Sequence, residues 1–187
     1  MTGSGADMAD NGFHRLVTLA EVRRQTAAMP IIADADERAA IAARFDLIAL
    51  DRLEANLDCV VTGDVLRVSG VLHGDVVQRC VATGEPLPAQ VESPIDVSYV
   101  PLDKLEAAEN EAEIELGEDD LDIIGYSAGG RIDLGEMVAD SLYLALQPFP
   151  RHPDADAFLK ARGVQSEAEA GAFGALAALR DKLSGSD

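Results

Sequence analysis

Residues Val65 to Leu87 read VLRVSGVLHGDVVQRCVATGEPL, and the way this stretch folds decides the architecture. Leu66, Val68, Gly70 and Leu72 alternate with Arg67, Ser69, Val71 and His73, the period of a half-buried strand. Gly74-Asp75 follows, a pair with the chemistry of a tight turn. A second alternating segment then sets Val76, Gln78 and Cys80 on one face and Val77, Arg79 and Val81 on the other. The pattern predicts a β-hairpin turning at Gly74-Asp75. Its far end presents Arg79-Cys80 beside a second turn at Thr83-Gly84-Glu85-Pro86.

Upstream, Leu53, Ala55, Leu57 and Cys59 face one way and Arg52, Glu54, Asn56 and Asp58 the other. That alternation predicts a strand with one face on a core and one in solvent. Thr62-Gly63-Asp64 turns it into Val65. Before it, Asp34 or Asp36 can cap a helix over an alanine-rich run that ends near Phe45. Phe13–Val17 and Pro30–Ile32 read as extended, and Thr18 to Ala28 has no clear period. Residues 1–11 hold nothing apolar enough to offset the entropy of ordering, so a disordered tail is expected.

Downstream, Val91, Ile95, Val97 and Tyr99 form an inward set, with Pro94 on the other face, where an edge or a bulge accommodates it. Segments 47–51, 52–61, 65–73, 76–82 and 90–100 therefore predict a meander of four or five strands. Residues 106–122 hold nine acidic and no basic residues. Within them, Ile114 and Leu116 alternate with Glu113 and Glu115 as in a short edge strand. Tyr126 to Gly130 reads as a turn. Asp133 caps a helix with Glu136 at the capping-box position and Leu134, Val138, Leu142 and Ala145 as its buried stripe. Gln147-Pro148 ends that helix. A last helix is expected from Ser166 to about Leu183, weakened by Gly171 and Gly174. The domain reading is one α+β domain over 12–165 with a C-terminal helix over 166–187. Its fold class is α+β: an antiparallel meander, open or closed into a barrel, with one helix before the sheet and helices after it.

Composition narrows function. The 187 residues are 48% hydrophobic, enough for a core, and no stretch is apolar enough to span a bilayer. The first residues lack a basic and then apolar signal-peptide pattern. Two cysteines, Cys59 and Cys80, suit a reducing cytoplasm and cannot by themselves complete a zinc site. Net charge is −19. Residues 1–80 carry 8 Lys/Arg against 12 Asp/Glu, and residues 81–187 carry 7 against 22. Such a surface repels polyphosphate and steers cationic partners.

The segment Gln78-Arg79-Cys80-Val81-Ala82-Thr83-Gly84-Glu85-Pro86-Leu87 resembles the RCxRCLEP-like signature of the YceD family. Ile132–Asp140 is similar to that family's acidic-strand-then-helix segment. Leu144-Ala145-Leu146-Gln147-Pro148-Phe149-Pro150-Arg151-His152 resembles its LxLPxxPxC/H ending, and Phe173-Gly174-Ala175-Leu176 its NPFAxL segment. The resemblance covers roughly residues 13–180 and looks like the alphaproteobacterial branch. It implies a role in accumulation of 23S ribosomal RNA. Many members carry further cysteines that suggest a metal site. Here Thr83 stands at the second signature position and His152 after the helix, which puts that metal in doubt.

Site candidates follow. Arg52, Arg67 and Arg79 form a candidate basic stripe across neighbouring strands, suited to bidentate phosphate contact. Solvated sheet charges paired with Glu54 or Glu92 are the commoner outcome for such residues. Cys80 has no base and orienting group to make it a nucleophile, and packing at the hairpin end is its simpler role. Arg79 beside it would favour the thiolate. Glu136 and Asp140 share a helix face, where capping and solvation explain them. The resemblance implies a non-enzymatic factor in large-subunit assembly; composition and the count of candidate ligands add the expectation of a cytoplasmic setting with no membrane span, metal or cofactor. Two mechanisms stand open. One is contact with 23S rRNA through Arg52, Arg67 and Arg79, with Cys80 and Glu85 at the turn. The other is capture of a basic ribosomal protein by Glu113, Glu115, Glu118, Asp119 and Asp120. The alternative is a metal-dependent RNA-processing enzyme using the acidic segment, which requires carboxylates fixed on rigid elements.

Overall fold

The computed structural model describes residues 12–25, 27–105, 122–127 and 129–164. The tail over 1–11, the alternating pair Ile114 and Leu116, the acidic residues Glu113, Glu115, Glu118, Asp119 and Asp120, and the helix expected from Ser166 lie outside them. Two compact units divide the chain: Met1–Gln78 with Pro88–Pro148, and Arg79–Leu87 with Phe149–Asp187.

The first unit is α+β. In chain order its elements are β1 (Leu16–Val17), α1 (Leu19–Val22), β2 (Met29–Ile32), α2 (Ala35–Arg44), β3 (Ala49–Thr62), β4 (Val65–Arg79), β5 (Pro86–Pro101), β6 (Asp122–Tyr126), β7 (Ile132–Asp133) and α3 (Leu134–Ala145). Five strands make one sheet in the order β2-β3-β4-β5-β6, and β1 pairs with β7. Among the described residues the sheet is open, not a barrel, because β2 and β6 each have one neighbour. The β2–β3 and β3–β4 ladders are antiparallel. The β5–β6 ladder is parallel, so the expectation of an antiparallel meander holds except at this edge.

The opening stretch corrects the hairpin reading. Strand β4 runs unbroken from Val65 to Arg79, and Gly74-Asp75 lies in its middle, opposite Leu53 and Arg52. The turn is instead at Thr62-Gly63-Asp64, where Gly63 holds φ +64, a left-handed conformation that glycine adopts at little cost. Two facts explain Gly74. A Cβ there would stand 2.9 Å from Leu142 Cδ1 of α3, so glycine lets the helix approach the sheet. The partner strand also shifts register between Leu50 and Arg52, leaving Asp51 bulged next to the Gly-Asp pair. The same continuity joins segments 47–51 and 52–61 into β3.

Leu53, Ala55 and Leu57 of β3, Leu66, Val68, Leu72 and Val76 of β4, and Ile95, Val97 and Tyr99 of β5 are buried in one core with Ile41 of α2 and Leu134, Val138 and Leu142 of α3. Cys59 packs half-buried against it. Pro94 is exposed, and the described ladder with β6 begins three residues later, at Val97. The undecided segment contains α1, whose N-cap Thr18 forms a capping box with Glu21. Asp34 caps α2 and makes the same box with Glu37.

Asp133 caps α3 by accepting from the amides of Gly135 and Glu136. Glu136 departs from the capping-box expectation, because its carboxylate takes Arg44 Nη1 at 2.6 Å. Arg44 is 11% exposed, its other guanidinium nitrogen meets Asp140 at 3.3 Å, and it stacks over Phe45. It ties α2 to α3.

Candidate functional site

The outer face of the sheet carries two of the predicted arginines. Arg52 lies opposite Asp75 and Arg67 opposite Val60. Eight residues of β4 separate those register points, which at about 3.3 Å per residue puts the two arginines roughly 26 Å apart. They do not make one stripe. Each is also matched by a carboxylate. Arg52 pairs with Glu54 on its own strand. Arg67 grips Asp96 of β5 with Nε and Nη2, at 3.0 and 2.8 Å, and the guanidinium holds that carboxyl below its usual range. His73 and Glu92 stand 3.7 Å apart on the same face. Glu54 was foreseen as a partner for these arginines; Asp96 was not, since only the β4–β5 neighbourhood sets it beside Arg67.

Arg79, Cys80 and Glu85 fall in the second unit. There the chain after β4 closes on itself: Cys80 N–H donates to Glu85 O at 2.8 Å and Gly84 N–H to Cys80 O at 2.9 Å. Glu85 N–H in turn reaches Thr83 Oγ1 at 3.2 Å, so the backbone of Glu85 closes the turn while its side chain is exposed. Val81 N–H donates to Pro150 O at 2.9 Å, which lays the proline-rich segment against the turn. Helix α4 (Ala155–Ala161) follows that segment, an element absent from the sequence reading.

Cys80 is buried. Its sulfur accepts from the Thr83 hydroxyl, from His152 N–H at 3.3 Å, and from the amides of Ala82 and Thr83. These donors, the Thr83 hydroxyl first, bring the thiol down to about 6. Arg79 plays no part in that shift; it is exposed and faces away. The expectation that Arg79 favours the thiolate is thus replaced by a nest of hydrogen-bond donors. The C-x-x-T spacing of Cys80 and Thr83 was the available signal. Cys59 contrasts with it, because burial against apolar neighbours pushes its thiol up to about 11.

The metal suggested by other members does not fit these residues. Thr83 places a donor hydroxyl where the signature has a second thiolate, and that hydroxyl is spent on Cys80. The His152 ring nitrogen Nδ1 accepts from Asp154 N–H. Among the described residues no three His, Cys, Asp or Glu side chains come close enough to hold an ion.

An open sheet sharing its core with two helices, and a turn built around one thiol between β4 and β5 in the chain, define the class of protein. The chain belongs to the YceD family: the family model described as large ribosomal RNA subunit accumulation protein YceD matches residues 68–180. The match begins inside β4 and takes in the Cys80 turn, α3 and His152. Neither a curated protein nor a solved structure matches the chain. Among the described residues no helix is long and apolar enough to cross a membrane.

Proposed function

We propose that this protein supports 23S rRNA accumulation during large-subunit assembly, without catalysing a reaction, by holding a basic ribosomal protein in the cytoplasm. Membership of the family supports the ribosomal setting. The observation that carries the choice of partner is the neutralised outer sheet face. Arg52 and Arg67 are both spent on carboxylates in a chain of net charge −19, so these two have little charge to offer a phosphate backbone. The acidic residues of 106–122 supply the complementary charge for a cationic partner.

The alternative of direct rRNA contact rests on Arg79, which is exposed and has no carboxylate partner among the described residues. Co-sedimentation separates the two. The protein is expected on large-subunit precursors, crosslinked to a basic ribosomal protein, with Arg79→Ala leaving its position unchanged. Crosslinks to 23S rRNA alone, lost in Arg79→Ala, would overturn the protein-holding reading.

A further inference from the structure

A groove of about 530 Å³ opens in the first unit beside the start of α3. Its lining includes Tyr99, Ile124, Asp133, Glu136, Met137 and Asp140. The carboxylates alone would say little, since acidic clusters on helices are ordinary. Tyr99 changes that. It is 5% exposed, it lines the groove, and among the described residues its hydroxyl has no hydrogen-bond partner, yet it is not sealed from the groove's solvent. A hydroxyl at the edge of a largely buried ring, open to a groove and without a protein partner, is available to a ligand group.

The chemistry of the lining selects that ligand. Asp133 and Glu136 are already held, by the α3 amides and by Arg44. Asp140 is the most open of the three, its side chain 55% exposed and touched by Arg44 only at 3.3 Å. Partial burial, and after it the nearby Glu136 carboxylate, raise its pKa, so a cation beside it would be favoured. Ile124 and Met137 add apolar wall, which suits the methylene stem of a long basic side chain. Arg131 is the only basic residue in the lining and it is exposed.

We propose that this groove anchors an arginine or lysine side chain of a basic protein segment, with Asp140 facing the cationic head and the Tyr99 hydroxyl accepting one of its N–H groups. The inference rests on the protein-holding reading above and names a second anchoring point, distinct from residues 106–122.

Binding of a fluorescent peptide of alternating Arg and Gly, and of its neutral citrulline counterpart, tests it at low salt. Tyr99→Phe keeps the ring and removes the acceptor; Asp140→Asn removes the charge. Each is expected to weaken the Arg/Gly peptide about fivefold, the worth of one net hydrogen bond or a partly exposed ion pair. Asp58→Asn, which removes an equal charge on the outer sheet face, and the citrulline peptide serve as controls: the first should bind normally and the second poorly. If Tyr99→Phe and Asp140→Asn bind like the parent while deletion of 106–121 abolishes binding, the groove is refuted and the protein-holding reading stands. If the parent binds no cationic peptide, both fail.

Discussion

Cys80 and Cys59 sit in one chain at opposite ends of thiol chemistry. Donors from Thr83, His152 and the turn amides hold Cys80 at about 6, while burial holds Cys59 at about 11. The signs follow. A thiol whose folded pKa lies below the unfolded one contributes stability that is complete above the unfolded value, about 8.5, and is lost as pH falls through about 6. Cys59 has the reverse sign: its contribution fades as pH rises from the unfolded value through about 11. Titration by thiolate absorbance is expected to show one group near pH 6 in the folded protein. Thr83→Val removes the leading donor and should move that midpoint up toward the ordinary thiol value of about 8.5. An unmoved midpoint would show that the backbone amides suffice. The sequence carried the C-x-x-T spacing, yet nothing in it revealed that His152 N–H, 72 residues away, completes the nest.

At the scale of elements, the same alternation that suggested a hairpin at Gly74-Asp75 in fact argued against one. In a two-residue hairpin the residues flanking the turn face the same way, so the inward set changes parity across it. Here Leu66, Val68, Leu72, Gly74 and Val76 are all buried and all even-numbered, the signature of one long strand. Period was legible; the choice between turn and close approach depended on α3, which is remote in sequence. Gly74→Ala forces its Cβ against Leu142 and is expected to cost about 1–3 kcal/mol in chemical denaturation. Leu142→Ala alone should cost about 2–5 kcal/mol, and the double variant less than the sum, since each change relieves the other. Strict additivity would mean that the two side chains do not share this space. The parallel strand β6 escaped notice for a related reason: only a sheet already formed gives Asp122–Tyr126 a partner.

For the whole molecule, charge and family point the same way. The strand faces, the caps of α2 and α3 and the core were readable from period and capping chemistry. The basic stripe was not, because register places Arg52 and Arg67 far apart and tertiary neighbours neutralise them. What remains is an acidic protein of a ribosomal family in which Arg15, Arg44, Arg52, Arg67, Lys104 and Arg151 are each paired with a carboxylate. The most direct test is a titration of the intact protein, across a salt series, against 23S rRNA fragments and against a basic large-subunit ribosomal protein. Binding to the ribosomal protein that weakens with salt, with no binding to RNA even at low salt, is the expected result. Tight low-salt binding to RNA, with the ribosomal protein left free, would contradict it.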